Sequence, residues 1–307
     1  MNMKVKQIST ALGAEITNVD LAKVSDVQVE EIKSLLTEHK VIFFPGQNIS
    51  QDEHVEYGSK FGELEGHPNL KNKTVTHPKI FELAASSGGI ADEWHTDITF
   101  QDSPAIMSVL HMVKCPELGG DTMWSNLNAA YEALSDPIKD LCEGITALHD
   151  ARPHGKPEKT AIHPVVRLHP ISGKKVLYVN EHFTRRIVEM NVEESDMLLS
   201  YLTKWVTKPQ FTVRYHWTEG TIAMWDNRST QHYVVNDFVG ERIIQRVTIM
   251  GDEVLGSSNP RWKPALREGF SAVTTHDKQL ITHLKDCLLY TSPSPRDVEE
   301  SRMPSSA

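Results

Sequence analysis

Residues 211–227 read FTVRYHWTEGTIAMWDN. Two runs rich in β-branched and aromatic residues flank Glu219-Gly220, so the stretch reads as a β-hairpin. Strand candidates continue on both sides of it. RIIQRVTIMGD (242–252) follows, and KVIFFPG (40–46), PAIMSVLHMVKCP (104–116) and KKVLYVN (174–180) precede. Prolines or a Pro-Gly pair stop several of these runs. Helices are expected from Ser25 to about Lys40, over 50–62, from Leu127 to Cys142, and after Asn191. Ser25, Ser50 and Asn191 each precede a Gln or Glu by three residues, the capping-box spacing. Met197, Leu198, Tyr201, Leu202, Trp205 and Val206 then follow helical periodicity. Strands therefore gather in short runs, with helices in front and inserted between. This is not the regular alternation of a doubly wound parallel sheet. The fold class expected is mainly β with flanking helices around a double-stranded β-helix, or jelly-roll, core. No internal repeat is present.

Composition narrows the function. The 307 residues carry a net charge of −9, with 39% hydrophobic and 24% charged residues. The sequence pI is about 5.9. An acidic chain of this kind is a poor general partner for nucleic acid, although a local cationic pocket for a small anion stays open. No apolar run approaches the length of a membrane helix, and MNMKVKQISTALGAEI lacks the apolar core of a signal peptide. Cys115, Cys142 and Cys287 are widely spaced and odd in number, which points to a reducing, cytoplasmic setting without a disulfide framework.

Metal-ligand chemistry is suggested by EWHTDITF (93–100). With 15 His and 41 acidic residues in the chain, about one His-x-Asp pair is expected by chance, so the pair needs support from geometry. His54-Val-Glu56 lies in an expected helix, where residues two apart point about 200° from each other. His95-Thr-Asp97 reads as extended, where they project to one side. His232, in MWDNRSTQHYVV, is the best third ligand. Two imidazoles and a carboxylate form the facial triad suited to Fe(II), whereas a closed zinc site more often recruits cysteines. A hydrogen-bonded loop pair is the plainer reading of His95 and Asp97 taken alone. A second feature demands the same chemistry. Arg242 and Arg246 lie four apart in an expected strand and so share a face, where paired guanidinium forks bind carboxylate or sulfonate. A pair of surface salt bridges is the alternative.

The blocks KFGELEGHP, WHTDITF, GGDTMWSNLNAAYEALS, HPVVRLHPISGKKVLYVNEHFTRRI, WDNRSTQHY and RIIQRVTIMGD resemble, in order, the taurine dioxygenase family of Fe(II)/2-oxoglutarate-dependent oxygenases. The resemblance implies that His95, Asp97 and His232 hold iron, and that Thr122 and Arg242 bind the distal carboxylate of 2-oxoglutarate. It further implies that Arg246, assisted by His67, meets the anionic head of the substrate and that Phe183 supplies an apolar wall. Implied with it are O2 as oxidant, succinate and CO2 as products, and a homo-oligomer, dimer or tetramer. A taurine-like sulfonate releasing sulfite and an aldehyde is the leading substrate class. An alkyl sulfate or an aryloxyalkanoate stands as the alternative, since Leu70 and Ala91 occupy positions where taurine-oxidising members carry tyrosine and asparagine. A metal-binding jelly roll without oxygenase activity is the alternative of another class. Trp94 and Trp225 read as packing, and Gly119 and Gly120 as a positive-φ turn. Residues 1–256 are expected to form the single dioxygenase domain. The tail, 257–307, is Ser/Pro-rich towards its end and expected to be partly disordered. Its CLLYTSPSPRD resembles translated sequencing-adapter read-through and is set aside from the functional argument.

Overall fold

The computed structural model describes residues 2–65, 77–88, 91–265 and 283. Its front end pairs β1 (Lys4–Gln7) with β2 (Ala14–Thr17). α1 (Asp26–His39) starts where the Ser25 hydroxyl accepts the Gln28 amide and the Gln28 side chain returns to Ser25. Two orphan amides are thereby satisfied at once. β3 (Val41–Phe44) is buried throughout. α2 (Gln51–Ser59) carries the same reciprocal cap between Ser50 and Glu53. β4 (Phe81–Ala84), β5 (Met107–Lys114) and β6 (Thr122–Asn126) follow.

The helix expected from Leu127 to Cys142 is two helices, α3 (Leu127–Glu132) and α4 (Asp136–Glu143). Pro137 stands in the first turn of α4, where its missing N–H costs nothing, but it could not continue α3. β7 (Thr146–Ala151), β8 (Lys156–Pro164), β9 (Val166–Leu168), β10 (Lys175–Leu177) and β11 (Thr184–Ile187) build two small side sheets before α5 (Val192–Val206).

The stretch 211–227 does not fold as a hairpin. β12 (Thr212–Tyr215) pairs with β6. β13 (Ile222–Asp226) pairs instead with β3 and β5. Gly220, at φ 75°, turns the chain from one sheet into the other. Packing explains the outcome. Val213, Tyr215 and Trp217 bury against Val41, Phe43, Trp124 and Trp225, and Phe43 stacks on Tyr215 with ring centroids 3.7 Å apart. Facing each other across two sheets, these residues lose more apolar surface to the core than edge-paired strands would.

β14 (Thr230–Val234) and β15 (Ile243–Ile249) complete the core. The major sheet runs β1-β2-β3-β13-β5-β15-β4, and the facing sheet runs β12-β6-β14. This is the expected jelly-roll core, with α1 and α2 packed on the outer face of the major sheet through Ile32, Leu36 and Tyr57. α5 covers a second core with Leu198, Leu202 and Val206. Within the tail, Arg261 pairs with Asp140 at 2.9 Å. No helix among the described residues is long and apolar enough to cross a membrane.

Candidate metal centre

His95 and His232 face each other as an isolated antiparallel bridge. The His95 amide donates to the His232 carbonyl at 3.1 Å and the His232 amide donates back at 2.8 Å. Directly opposed residues send their side chains to the same face, and the two rings stand with centroids 4.0 Å apart. The segment around His95 is not the extended run expected from sequence. Only His95 bridges, and Asp97 opens a turn in which Ile98 adopts φ 46°. That turn, rather than strand alternation, brings the carboxylate round. His232 lies within β14 itself.

The result is a triad whose ligand-type atoms all lie within 4.8 Å of one another. Asp97 Oδ1 is 3.9 Å from Nε2 of each histidine. His95 Nδ1–H donates to the Glu93 carbonyl at 2.7 Å, leaving Nε2 with its lone pair towards the triad. Asp97 Oδ2 accepts from Ser108 Oγ at 2.8 Å and from Asn227 Nδ2 at 3.1 Å. Its other oxygen, Oδ1, accepts from Arg246 Nη1 at 2.7 Å. Burial opposes the Asp97 charge, but Arg246 and the two histidines outweigh it and hold the carboxyl well below its ordinary range. Burial also lowers His95 and His232 below the usual imidazole value. Two neutral imidazoles and one carboxylate are thus available at neutral pH, a donor set that fits a divalent ion such as Fe(II).

The triad opens into a cavity of about 510 Å³. Thr122, Phe183, Arg242, Arg246 and Ala91 line it with the triad, so the sequence-read site residues that are described all converge there. His67 and Leu70 lie outside the described residues. Arg242 sits just before β15 and is 5% exposed. Its Nε donates to the Gly120 carbonyl and its Nη2 to Thr122 Oγ1, at 3.0 and 3.2 Å. Among the described residues it has no carboxylate partner. Burial pushes its pKa down to about 10, and it remains a cation at neutral pH. A buried guanidinium with no counter-charge in contact is costly, and a carboxylate entering the cavity would relieve it. Thr122 is prepared for the same guest. Its hydroxyl oxygen already accepts from Arg242 and from Trp217 Nε1 at 2.9 Å, so its own proton is directed elsewhere.

Several contributors were not read from sequence. Ser108 and Asn227 flank Asp97 and carry no spacing signal of their own. Trp225 does more than pack: its Nε1–H donates to Asn227 Oδ1 at 2.9 Å and so turns the Asn227 amide towards Asp97. Trp94 stacks on Tyr233. The rejected pair separates as expected, with His54 buried against the Val109 carbonyl and Glu56 exposed.

The chain is similar to known proteins over most of its length. The family described as "Taurine catabolism dioxygenase TauD, TfdA family" matches residues 4–248. An "Alkylsulfatase" of Acinetobacter baylyi is 36% identical over 296 residues, 88% of this chain and 92% of that protein. An "Alpha-ketoglutarate-dependent sulfate ester dioxygenase" of Pseudomonas putida is 36% identical over 279 residues, 83% of this chain and 92% of its own length. A solved taurine dioxygenase from Burkholderia xenovorans superposes with a TM-score of 0.75 at 36% identity, covering 83% of this chain and 93% of that one.

Proposed function

The chain belongs to the taurine catabolism dioxygenase TauD, TfdA family and is a 2-oxoglutarate-dependent dioxygenase; we propose that it is iron-dependent and hydroxylates a small organic sulfur oxyanion, a sulfate ester or sulfonate with an apolar carbon portion. One observation carries the reading. A single cavity holds the His95–Asp97–His232 triad together with two guanidinium groups, one with Thr122 and one beside Asp97.

In this reading His95, Asp97 and His232 hold Fe(II), which when bound supplies the redox chemistry by which 2-oxoglutarate and O2 oxidise a C–H bond. Arg242 and the Thr122 hydroxyl take the far carboxylate of 2-oxoglutarate and set its depth in the cavity. Arg246 takes the substrate's anionic head, with its guanidinium 5.0 Å over the Phe81 ring. Leu83, Ile98, Phe183 and Val234 give the carbon portion apolar walls and limit water. Positioning of this kind matters because a misplacement of about 1 Å can cost on the order of 10²-fold in rate. Ala91 adds a small apolar surface to the same lining, which favours an alkyl sulfate over an amine-bearing sulfonate.

Succinate release over a panel of hexyl sulfate, taurine and phenoxyacetate tests this. Hexyl sulfate is expected to be turned over fastest, with one succinate per aldehyde, and Arg246→Met to lose at least tenfold in kcat/KM for it. Absence of Fe(II)-dependent succinate with every member, or full activity in Arg246→Met, contradicts the reading.

A further inference from the structure

Ile98 stands beside Asp97 with φ at 46°. For a β-branched residue that backbone is an outlier, and such conformations persist only where the surroundings over-determine them. The surroundings here are buried and polar. His163 Nε2 reaches the carbonyls of Thr99 and Gln101 at 2.9 and 3.0 Å. Thr99 Oγ1 is 2.9 Å from His149 Nδ1 and accepts from Asn180 Nδ2 at 3.2 Å. Asn180 is fixed in turn: its Oδ1 accepts the Phe183 amide at 2.8 Å, and its own amide donates to Thr184 Oγ1 at 2.9 Å. From the other side of the turn, Thr96 Oγ1 donates to the Thr230 carbonyl at 2.8 Å. His149, His163 and Asn180 are 0%, 3% and 2% exposed, and none of them lines the cavity. Burial lowers both imidazoles, His163 to about 4, so at neutral pH each is uncharged with a single N–H. That proton on His163 Nε2 suits two carbonyl acceptors.

We propose that His163, with His149 and Asn180, is a positioning clamp that holds Ile98 in its left-handed backbone and so aims Asp97 at the two histidines of the triad. The clamp grips the carbonyls and the hydroxyl on the C-terminal side of Ile98, where Phe100 also packs on Phe183. Ser108 and Asn227 orient the carboxylate once it has arrived; the clamp sets where the backbone delivers it. The inference rests on Asp97 being a metal ligand.

The test is Mn(II) titration of the metal-stripped full chain, read by electron paramagnetic resonance of free Mn(II), with thermal melting alongside. His163→Leu is expected to weaken Mn(II) binding about tenfold, and His163→Gln, which keeps a donor near the Nε2 position, to recover most of the loss. Ile98→Gly is expected to melt at or above Ile98→Ala, the reverse of the usual order, because only glycine is relaxed at this φ. Should His163→Leu fail to fold, Asn180→Ala is titrated in its place, with the same tenfold loss expected. Wild-type affinity in the Leu or Ala variant, or Ile98→Gly melting below Ile98→Ala, overturns the clamp. Absence of Mn(II) binding in the wild type overturns the metal reading itself, and the clamp with it.

Discussion

At the scale of single residues, Arg242 offers the sharpest separation of binding from stability. Its charge is buried beside Gly120 and Thr122 with no carboxylate in ion-pair contact among the described residues; Asp121 acts on it from further off and is itself paired with Arg214. A group that serves a guest rather than the fold should be dispensable to the fold. Arg242→Met is therefore expected to melt no lower than the wild type in the absence of 2-oxoglutarate, since an apolar side chain replaces a buried charge with no ion-pair contact. Affinity for 2-oxoglutarate should fall by about 10²-fold, equivalent to about 3 kcal/mol for a lost charge-assisted contact. Calorimetric titration of the Zn(II)-substituted protein measures the second quantity and thermal melting the first. Unchanged affinity, or a large drop in melting temperature, would count against the assignment. Residues such as Arg242 and His232 were legible because their side chains are chemically costly where they sit. Ser108 and Asn227 were not, because a serine or an asparagine is unremarkable until the fold places it 2.8 or 3.1 Å from Asp97.

At the scale of elements, capping chemistry was legible and strand pairing was not. Ser25, Ser50 and Asn191 each start a helix through a reciprocal bond with the residue three places on, a wholly local interaction. By contrast, Thr218–Thr221 looks like the tip of a hairpin because a Gly-containing turn serves equally to reverse a strand or to cross between sheets. The choice is made by Val41, Phe43 and Trp124, which are far away in sequence. Similarly, the Leu127–Cys142 periodicity hid a break that Pro137 enforces. The crossing itself is testable at Gly220. It has φ 75°, and a Cβ there would meet the Gln47 carbonyl oxygen at 2.7 Å. Gly46, at φ 69°, has nothing within 4 Å of the same position. Gly220→Ala should destabilise by about 2 kcal/mol more than Gly46→Ala, because it adds a backbone clash to a shared conformational strain. The difference in urea midpoints reports it, and equal midpoints would show that the crossing has room to relax.

At the scale of the whole molecule, an acidic chain encloses a cavity holding two arginines and a set of buried neutral imidazoles. His54 and His163 are pushed down to about 4 by burial, and His149 well below its ordinary value for the same reason. The three are 1%, 3% and 0% exposed. In the unfolded chain each takes up a proton near pH 6.5, whereas in the native state none does so until much lower pH. The unfolded state therefore binds more protons across the window from about 6.5 down to about 4, and stability falls as pH drops through it. Between these limits these three groups alone give a slope of about 4 kcal/mol per pH unit, to which His95 and His232 add in the same sense once the metal is removed. Asp226, held low by His169 and Arg228 against the opposing effect of burial, acts later. As its folded value is depressed, its contribution is full above the ordinary carboxylate pKa and is lost only below it. Acid unfolding of the metal-stripped protein should thus begin with histidines rather than carboxylates, near pH 6 and not near pH 4. Replacing His54 by Gln should flatten the slope by about 1.4 kcal/mol per pH unit, because one proton-linked site is removed while a donor to the Val109 carbonyl is kept. Urea unfolding at intervals between pH 7 and 4.5 supplies both slopes. A wild-type stability that stays flat down to pH 5 would mean that these imidazoles are protonated at little cost inside the fold, contrary to their burial.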